Sequence, residues 1–250
     1  MQDIPNSFFR PGPYAVTDFA VPFRGHLLMG DRWTPPDIAG TALLLHGGGS
    51  SSVARFQALR ALLYQRHIET LAFDFIGHGR TGSAQLGTTL DERVQQVLAA
   101  TQYLHLNPSA LTLIGFSMGA YVAVRAGALL GVSHLCLAIP AAYTPLAYTT
   151  PFGPLFSQLL RAERSWADSD AFDLVRAYTG HLLVVSAEED AVVTAEISLR
   201  YVSSGQHCAS RAHHVIERSG HDLIAHFEQE PQARAAAYAA IASLCLRGVA

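Results

Sequence analysis

Apolar residues in this chain fall into short, nearly continuous runs, separated by longer stretches where they recur every three or four positions. Thr41–Leu45, Thr70–Phe73, Leu111–Ile114, Leu135–Ile139 and Leu182–Val185 are the runs. Such runs read as strands buried on both faces. Ala212–Glu217 reads as a last strand, and Tyr14–Val21 with His26–Thr34 as an N-terminal hairpin. Val53–Arg66, Leu90–Leu106 and Met118–Leu130 carry their apolar residues at helical spacing, and Pro231–Leu246 is an Ala-rich closing helix. Asp91 and Glu92 suit the first turn of the second helix, where negative charge meets the positive end of the helix. Strands alternating with helices predict an α/β fold with a mostly parallel sheet of about eight strands, covered on both faces. Ligands bind such sheets beyond the carboxyl ends of the strands. No repeat, low-complexity tract or linker divides the chain, so residues 1–250 are expected to form one domain.

One segment breaks the alternation. Residues 141–178 hold four prolines or glycines and seven aromatics, among them Tyr143, Tyr148, Phe152 and Phe156. The segment is longer than one crossover helix, and long excursions inside compact domains are often functional. We expect a short lid over the crevice, with some of its aromatic surface lining an apolar pocket. Arg161 and Arg164 further along could meet an anionic end of a ligand.

Composition narrows the chemistry. Half the residues are apolar and 15% are charged, which excludes a disordered chain. A net charge of −3 implies no nucleic-acid surface. All 17 basic residues are arginine. Without lysine there is no Schiff base, no pyridoxal-phosphate attachment and no ordinary P-loop. The three cysteines, Cys136, Cys208 and Cys245, make neither a disulfide framework nor a zinc spacing. The opening M-Q-D-I-P-N-S-F-F-R lacks the pattern of a signal peptide, and no apolar run approaches membrane-spanning length. A cytoplasmic protein, monomeric or homodimeric, with neither metal nor organic cofactor, is expected.

The motif with the most chemical content is G-F-S-M-G, Gly115 to Gly119, between an apolar strand and an apolar helix. A serine on such a sharp turn has an exposed hydroxyl and a strained backbone, and side chains two positions away would collide with neighbouring chain. The following helix aims its N-terminal amides at the point where an oxyanion would form. His46-Gly47-Gly48-Gly49, past the first buried strand, can bring a second amide close to a substrate. Ser50, Ser51 and Ser52 read as caps for the next helix. Of 12 histidines, His221 in S-G-H-D follows the last strand and is the expected base, with His226 a weak rival. The strand Leu182–Val185 runs into Glu188, Glu189 and Asp190, and any of these acids could orient the base. The chain order serine, acid, histidine suits an elbow of this type.

With H-G-G-G at 46–49, D-F-I-G-H-G at 74–79, G-F-S-M-G-A at 115–120, A-E-E-D-A-V-V at 187–193 and S-G-H at 219–221, nearly the whole chain resembles the α/β-hydrolase superfamily. Within it, the chain resembles small serine hydrolases of the monoglyceride lipase and serine aminopeptidase-like group. The resemblance implies Ser117 as nucleophile, His221 as base and Asp190 as the acid. Ala187 stands where that group usually has glycine. It also implies Gly48 and Met118 as oxyanion amides, and Asp74 and His78 as loop-shaping residues. The lid is shorter than in many relatives. The function to expect is hydrolysis of a small-molecule carboxylic ester, thioester or lactone through an acyl-enzyme. Carbon–carbon bond hydrolysis and cofactor-free haloperoxidase chemistry use the same residues. A receptor-like binding protein is less compatible with an intact set.

Overall fold

The computed structural model describes residues 14–85 and 87–248. The N-terminal decapeptide read above for a signal lies outside the described residues. The chain runs β1 (Val16–Phe23), β2 (His26–Trp33), β3 (Gly40–Leu45), α1 (Gln57–Gln65), β4 (Ile68–Phe73), α2 (Leu90–Tyr103), β5 (Leu111–Phe116), α3 (Met118–Leu130) and β6 (His134–Ala138). It continues with α4 (Pro145–Thr149), α5 (Pro154–Arg161), α6 (Ala171–Ala177), β7 (His181–Ala187), α7 (Ala195–Ser204), β8 (Ser210–Ile216), α8 (Leu223–Gln229) and α9 (Pro231–Cys245). The eight strands form one sheet in the order β1-β2-β4-β3-β5-β6-β7-β8. β2 pairs antiparallel with both β1 and β4, and every other pairing is parallel.

The apolar runs are buried on both sides, and their residues alternate between two cores. Leu43, Leu45, Leu111, Leu113, Leu135, Leu137, Leu182 and Val184 pack on one face, with α2, α3 and α7. Leu44, Ile114, Phe116, Cys136, Leu183 and Val185 pack on the other, with α1, α8 and α9. This period of two is why the runs carry no helical rhythm. Thr89 caps α2 by accepting from the Glu92 amide at 3.0 Å, with Asp91 and Glu92 in the first turn.

β3 lies between β4 and β5, so the chain leaves β3 in one direction and returns on its other side. This reversal opens a crevice at the carboxyl ends of β3 and β5. The His46–Gly49 loop and the Gly115–Gly119 turn both sit there. Among the described residues, no helix is long and apolar enough to cross a membrane.

The stretch read as one helix from Val53 starts as a 3-10 turn, Val53–Phe56, before α1. Ser52 stands at the cap position without a side-chain capping bond, contrary to expectation. Helices α7 and α8 have no counterpart in the sequence reading. Both are short, 10 and 7 residues, too few turns for a helical rhythm to stand out.

The 141–178 segment folds as α4, α5 and α6, and its aromatics do not line the crevice. Tyr143, Phe152, Phe156 and Phe172 are buried in the core beside α2 and α3. Burying the aromatics stabilises that core by roughly 1.5–3 kcal/mol per large side chain. Phe152 exchanges backbone hydrogen bonds with Gly87 and Thr88, and Tyr148 Oη donates to Asp91 at 2.7 Å. Arg164 pairs with Glu196 on the surface and is not aimed into the crevice.

Candidate active site

Ser117 interrupts the passage from β5 to α3 with φ 53° and ψ −118°. A non-glycine residue in this region costs on the order of 1–3 kcal/mol, and the surroundings must enforce it. Two glycines let them do so. A Cβ on Gly115 would lie 2.3 Å from the Gly119 carbonyl oxygen. A Cβ on Gly119 would lie 2.3 Å from the Leu45 carbonyl oxygen. The turn therefore closes only with glycine at both places, as the motif predicts. The Ser117 amide donates to Ala138 at 2.9 Å, tying the turn to β6.

His221 Nε2 is 3.0 Å from Ser117 Oγ, and His221 Nδ1 is 2.8 Å from Asp190 Oδ2. With Nδ1–H donated to the carboxylate, Nε2 is left to accept from the serine hydroxyl. The Asp190 side chain is almost fully buried, at 2% exposure. Burial alone would raise its pKa. The His221 bond and two 2.8 Å bonds from the Val193 and Val192 amides outweigh that, and hold the carboxyl below its ordinary range. Of the three acids left open by spacing, the structure brings only Asp190 to His221. Glu188 accepts from the Arg218 amide instead. Its own amide and that of Glu189 bind Ile216 and Ser219, fastening the acidic turn to the loop that carries His221. His226 lies on α8, away from Ser117, and does not line its pocket.

Gly48 and Met118 are neighbours: a Cβ on Gly48 would meet Met118 Cε at 3.1 Å. Met118 is the first residue of α3, where an amide has no intrahelical acceptor. Beneath the glycine loop lies a bonded chain. The Phe75 amide donates to His46 Nε2 at 3.1 Å, leaving the proton on His46 Nδ1, 2.8 Å from the Gly47 carbonyl oxygen. Arg93 Nη1 donates to the same carbonyl at 3.1 Å, and Arg93 Nη2 to His78 Nε2 at 2.6 Å. His78 Nδ1 in turn reaches the Ser51 carbonyl at 2.9 Å. Asp74 accepts from the Val53 and Arg80 amides, so Asp74 and His78 shape this loop as the resemblance implies.

Burial lowers the pKa of His46, His78, His134 and His213. Arg93 adds to the lowering at His46 and His78. The unfolded chain takes up these protons near pH 6.5 and the folded chain does so only at lower pH. Their contribution is complete above that value and is lost as pH falls toward the folded-state pKa values. The urea midpoint should therefore drop between about pH 7.5 and about pH 5. An unchanged midpoint would contradict this.

A cavity of about 140 Å³ adjoins Ser117 and His221. Its apolar wall is Phe56, Phe116, Ile139, Leu223 and Ile224. Arg55 and Asp222 also line it and pair with each other. None of its lining residues comes from 141–178, which corrects the expected role of the lid. Ile139, like Ser117, has positive φ (43°), and strained residues of this kind gather at functional sites. Sequence reasoning missed Arg93, Phe56 and Ile139. Arg93 did leave a signal: it stands on the apolar stripe of α2 with Leu90, Val94 and Val97. Among the described residues, no group of three His, Cys, Asp or Glu side chains is placed to hold a metal ion.

No curated protein sequence matches this chain. Solved structures match its fold at low identity. Est1E from Butyrivibrio proteoclasticus, solved with ferulic acid, aligns with TM-score 0.66 and 19% identity over 89% of this chain and 99% of its own. A monoacylglycerol lipase from Paleococcus ferrophilus aligns with TM-score 0.66 and 18% identity over 86% and 98%. A meta-cleavage product hydrolase, CumD, from Pseudomonas fluorescens aligns with TM-score 0.65 and 16% identity over 88% and 96%. The family described as "Alpha/beta hydrolase family" matches residues 42–237, well over half of the chain. With the eight-stranded sheet and the serine turn at its crevice, that match shows that the chain belongs to the alpha/beta hydrolase family.

Proposed function

We propose that this protein is a serine hydrolase that cleaves a carboxylic ester, or a related thioester or lactone, of a small to medium apolar acyl group. The observation that carries the reading is the bonded chain Ser117–His221–Asp190 beside an apolar cavity. Ser117 Oγ attacks the carbonyl carbon as its proton passes to His221 Nε2. Asp190 fixes the imidazole tautomer and stabilises the imidazolium. The amides of Gly48 and Met118 receive the negative oxygen of the tetrahedral adduct. His221 then gives its proton to the leaving alcohol, and the acyl group remains on Ser117. The same histidine activates water, which attacks the ester carbon and releases the acid. The three free cysteines suit a reducing, cytoplasmic setting. The lid helices share a core with α2 and α3, which supports reading the chain as one domain.

The size of the cavity sets the expected acyl length. An apolar cavity of ~150 Å³ holds a benzene molecule, so 140 Å³ takes about six carbon atoms. Each methylene that enters it should raise affinity about fourfold, from roughly 0.8 kcal/mol. Across 4-nitrophenyl esters from acetate to palmitate, kcat/KM should climb to a maximum at roughly C4 to C8 and then fall. A flat profile, a decline from acetate, or a maximum at palmitate would refute the assignment of this cavity. Absence of turnover across esters, thioesters and lactones would refute the hydrolase reading itself.

A further inference from the structure

Arg93 is the most anomalous buried charge in the molecule. It sits on α2 at 1% exposure, and among the described residues no carboxylate lies within ion-pair distance of it. Its Nε has no hydrogen-bond partner. Its guanidinium packs against the rings of Phe75 and Phe152, at 4.8 and 5.2 Å from the centroids. A buried cation without a counter-charge is expensive, and an apolar residue of similar volume would serve the core better. Its polar contacts are confined to two acceptors, the Gly47 carbonyl and His78 Nε2.

The first of these contacts bears on Ser117. The Gly47 carbonyl and the Gly48 N–H belong to one planar trans peptide, so they point in opposite directions. His46 and Arg93 pull the carbonyl into the core. The Gly48 N–H is thereby turned the other way, and Gly48 lines the cavity beside Ser117. The second contact, through His78, ties down the Ser51 carbonyl at the far end of the same loop. A cation bound to a carbonyl also polarises the peptide and makes its N–H a stronger donor.

We propose that Arg93 is a positioning residue for the oxyanion hole, orienting the Gly48 amide through the Gly47 carbonyl and placing an uncompensated positive charge behind it. This rests on the serine-hydrolase reading above. The charge acts only when negative charge develops on the substrate oxygen, so it favours the transition state over the bound ester. His46 Nε2 and His78 Nε2 both accept hydrogen bonds, which leaves each ring neutral and Arg93 the sole cation of the network.

The test compares the wild-type protein with Arg93→Met and Arg93→Lys. kcat and KM are measured with 4-nitrophenyl butyrate, inhibition with butylboronic acid, and folding by thermal melting. The boronate adds to a serine oxygen as a tetrahedral anion, and so reports on the oxyanion hole apart from turnover. In Arg93→Met, kcat should fall by about 10²–10³-fold, as for loss of an oxyanion donor, with KM within about threefold. The inhibition constant of butylboronic acid should rise in parallel with the loss in kcat, while the melting temperature changes little. Arg93→Lys keeps the charge but replaces the planar two-nitrogen fork with a single ammonium on a shorter side chain, and should lose about tenfold in both measures. A folded Arg93→Met with wild-type kcat, or a loss of kcat without loss of boronate affinity, overturns the proposal. Should Arg93→Met fail to melt cooperatively, Arg93→Lys decides: parallel tenfold losses support the role, and wild-type values overturn it. Wild-type protein that neither cleaves esters nor binds the boronate removes the hydrolase reading and this inference together. Wild-type activity matched by both variants removes the role of Arg93 alone.

Discussion

Ser117→Ala should lower kcat by about 10⁶-fold and abolish labelling by a fluorophosphonate probe. The reason is geometric. Ser117 Oγ lies 3.0 Å from His221 Nε2, and the backbone at φ 53° holds the hydroxyl toward the cavity. Removing it takes away the bond-forming atom and leaves His221 with nothing to activate but water. The turn itself should survive, since alanine tolerates this backbone no worse than serine and the Ser117 amide keeps its bond to Ala138. Mass spectrometry of the probe-treated protein, with melting of the variant as control, reads both halves. Labelling that persists in the variant, or moves to Ser50, Ser51 or Ser52, would overturn the assignment.

Asp190→Asn should cost about 10⁴-fold in kcat while leaving the fold in place. Asparagine preserves the shape, and its Oδ1 can still accept from the Val192 and Val193 amides. It presents an NH₂ to His221 Nδ1, so the imidazole flips its proton to Nε2 and can no longer accept from Ser117. Glu188→Gln and Glu189→Gln should each change kcat by less than about threefold, since neither side chain reaches His221. Steady-state kinetics on the three variants decide the matter. A Glu188→Gln or Glu189→Gln variant as damaged as Asp190→Asn would force the acid to be reassigned.

Local sequence was enough to locate the strands and the serine turn, and to single out the histidine that stands 3.0 Å from Ser117. The parallel strands are buried on both faces, so their apolar runs are continuous and their ends stand out. Gly115 and Gly119 announce the turn because no other residue fits between β3, β5 and α3. The acid was harder to read. Glu188, Glu189 and Asp190 are adjacent, and which one faces His221 depends on how the turn after β7 is pinned to the loop after β8. Those bonds, from the Glu188 and Glu189 amides to Ile216 and Ser219, join residues about 30 positions apart.

What the sequence concealed was the destination of apolar surface. Seven aromatics in 141–178 suggested a pocket lining, yet residue type alone does not say which side of a segment faces inward. The core above α2 and α3 claims Tyr143, Phe152, Phe156 and Phe172. The cavity beside Ser117 is lined instead by residues scattered along the chain, such as Phe56, Ile139 and Leu223. Arg93 was legible only as a lone charge on an apolar helical stripe. Its two acceptors, the Gly47 carbonyl and His78, come from loops that helical spacing cannot place beside it.

The shared core of the lid bears on how this scaffold can be engineered. Tyr148 is hydrogen-bonded to Asp91 and lies under Arg125, 3.5 Å from guanidinium carbon to ring centre. Asp170 pairs with that same arginine, and Tyr201 donates to the Ala141 carbonyl at 2.8 Å. Residues 141–178 are therefore not a cassette that can be exchanged between homologues at its two ends. A transplanted segment would strand Asp91, deprive Arg125 of Asp170 and Tyr148, and take away the Phe152 ring against which Arg93 rests. A productive chimera must carry the matching faces of α2, α3 and α7 with it.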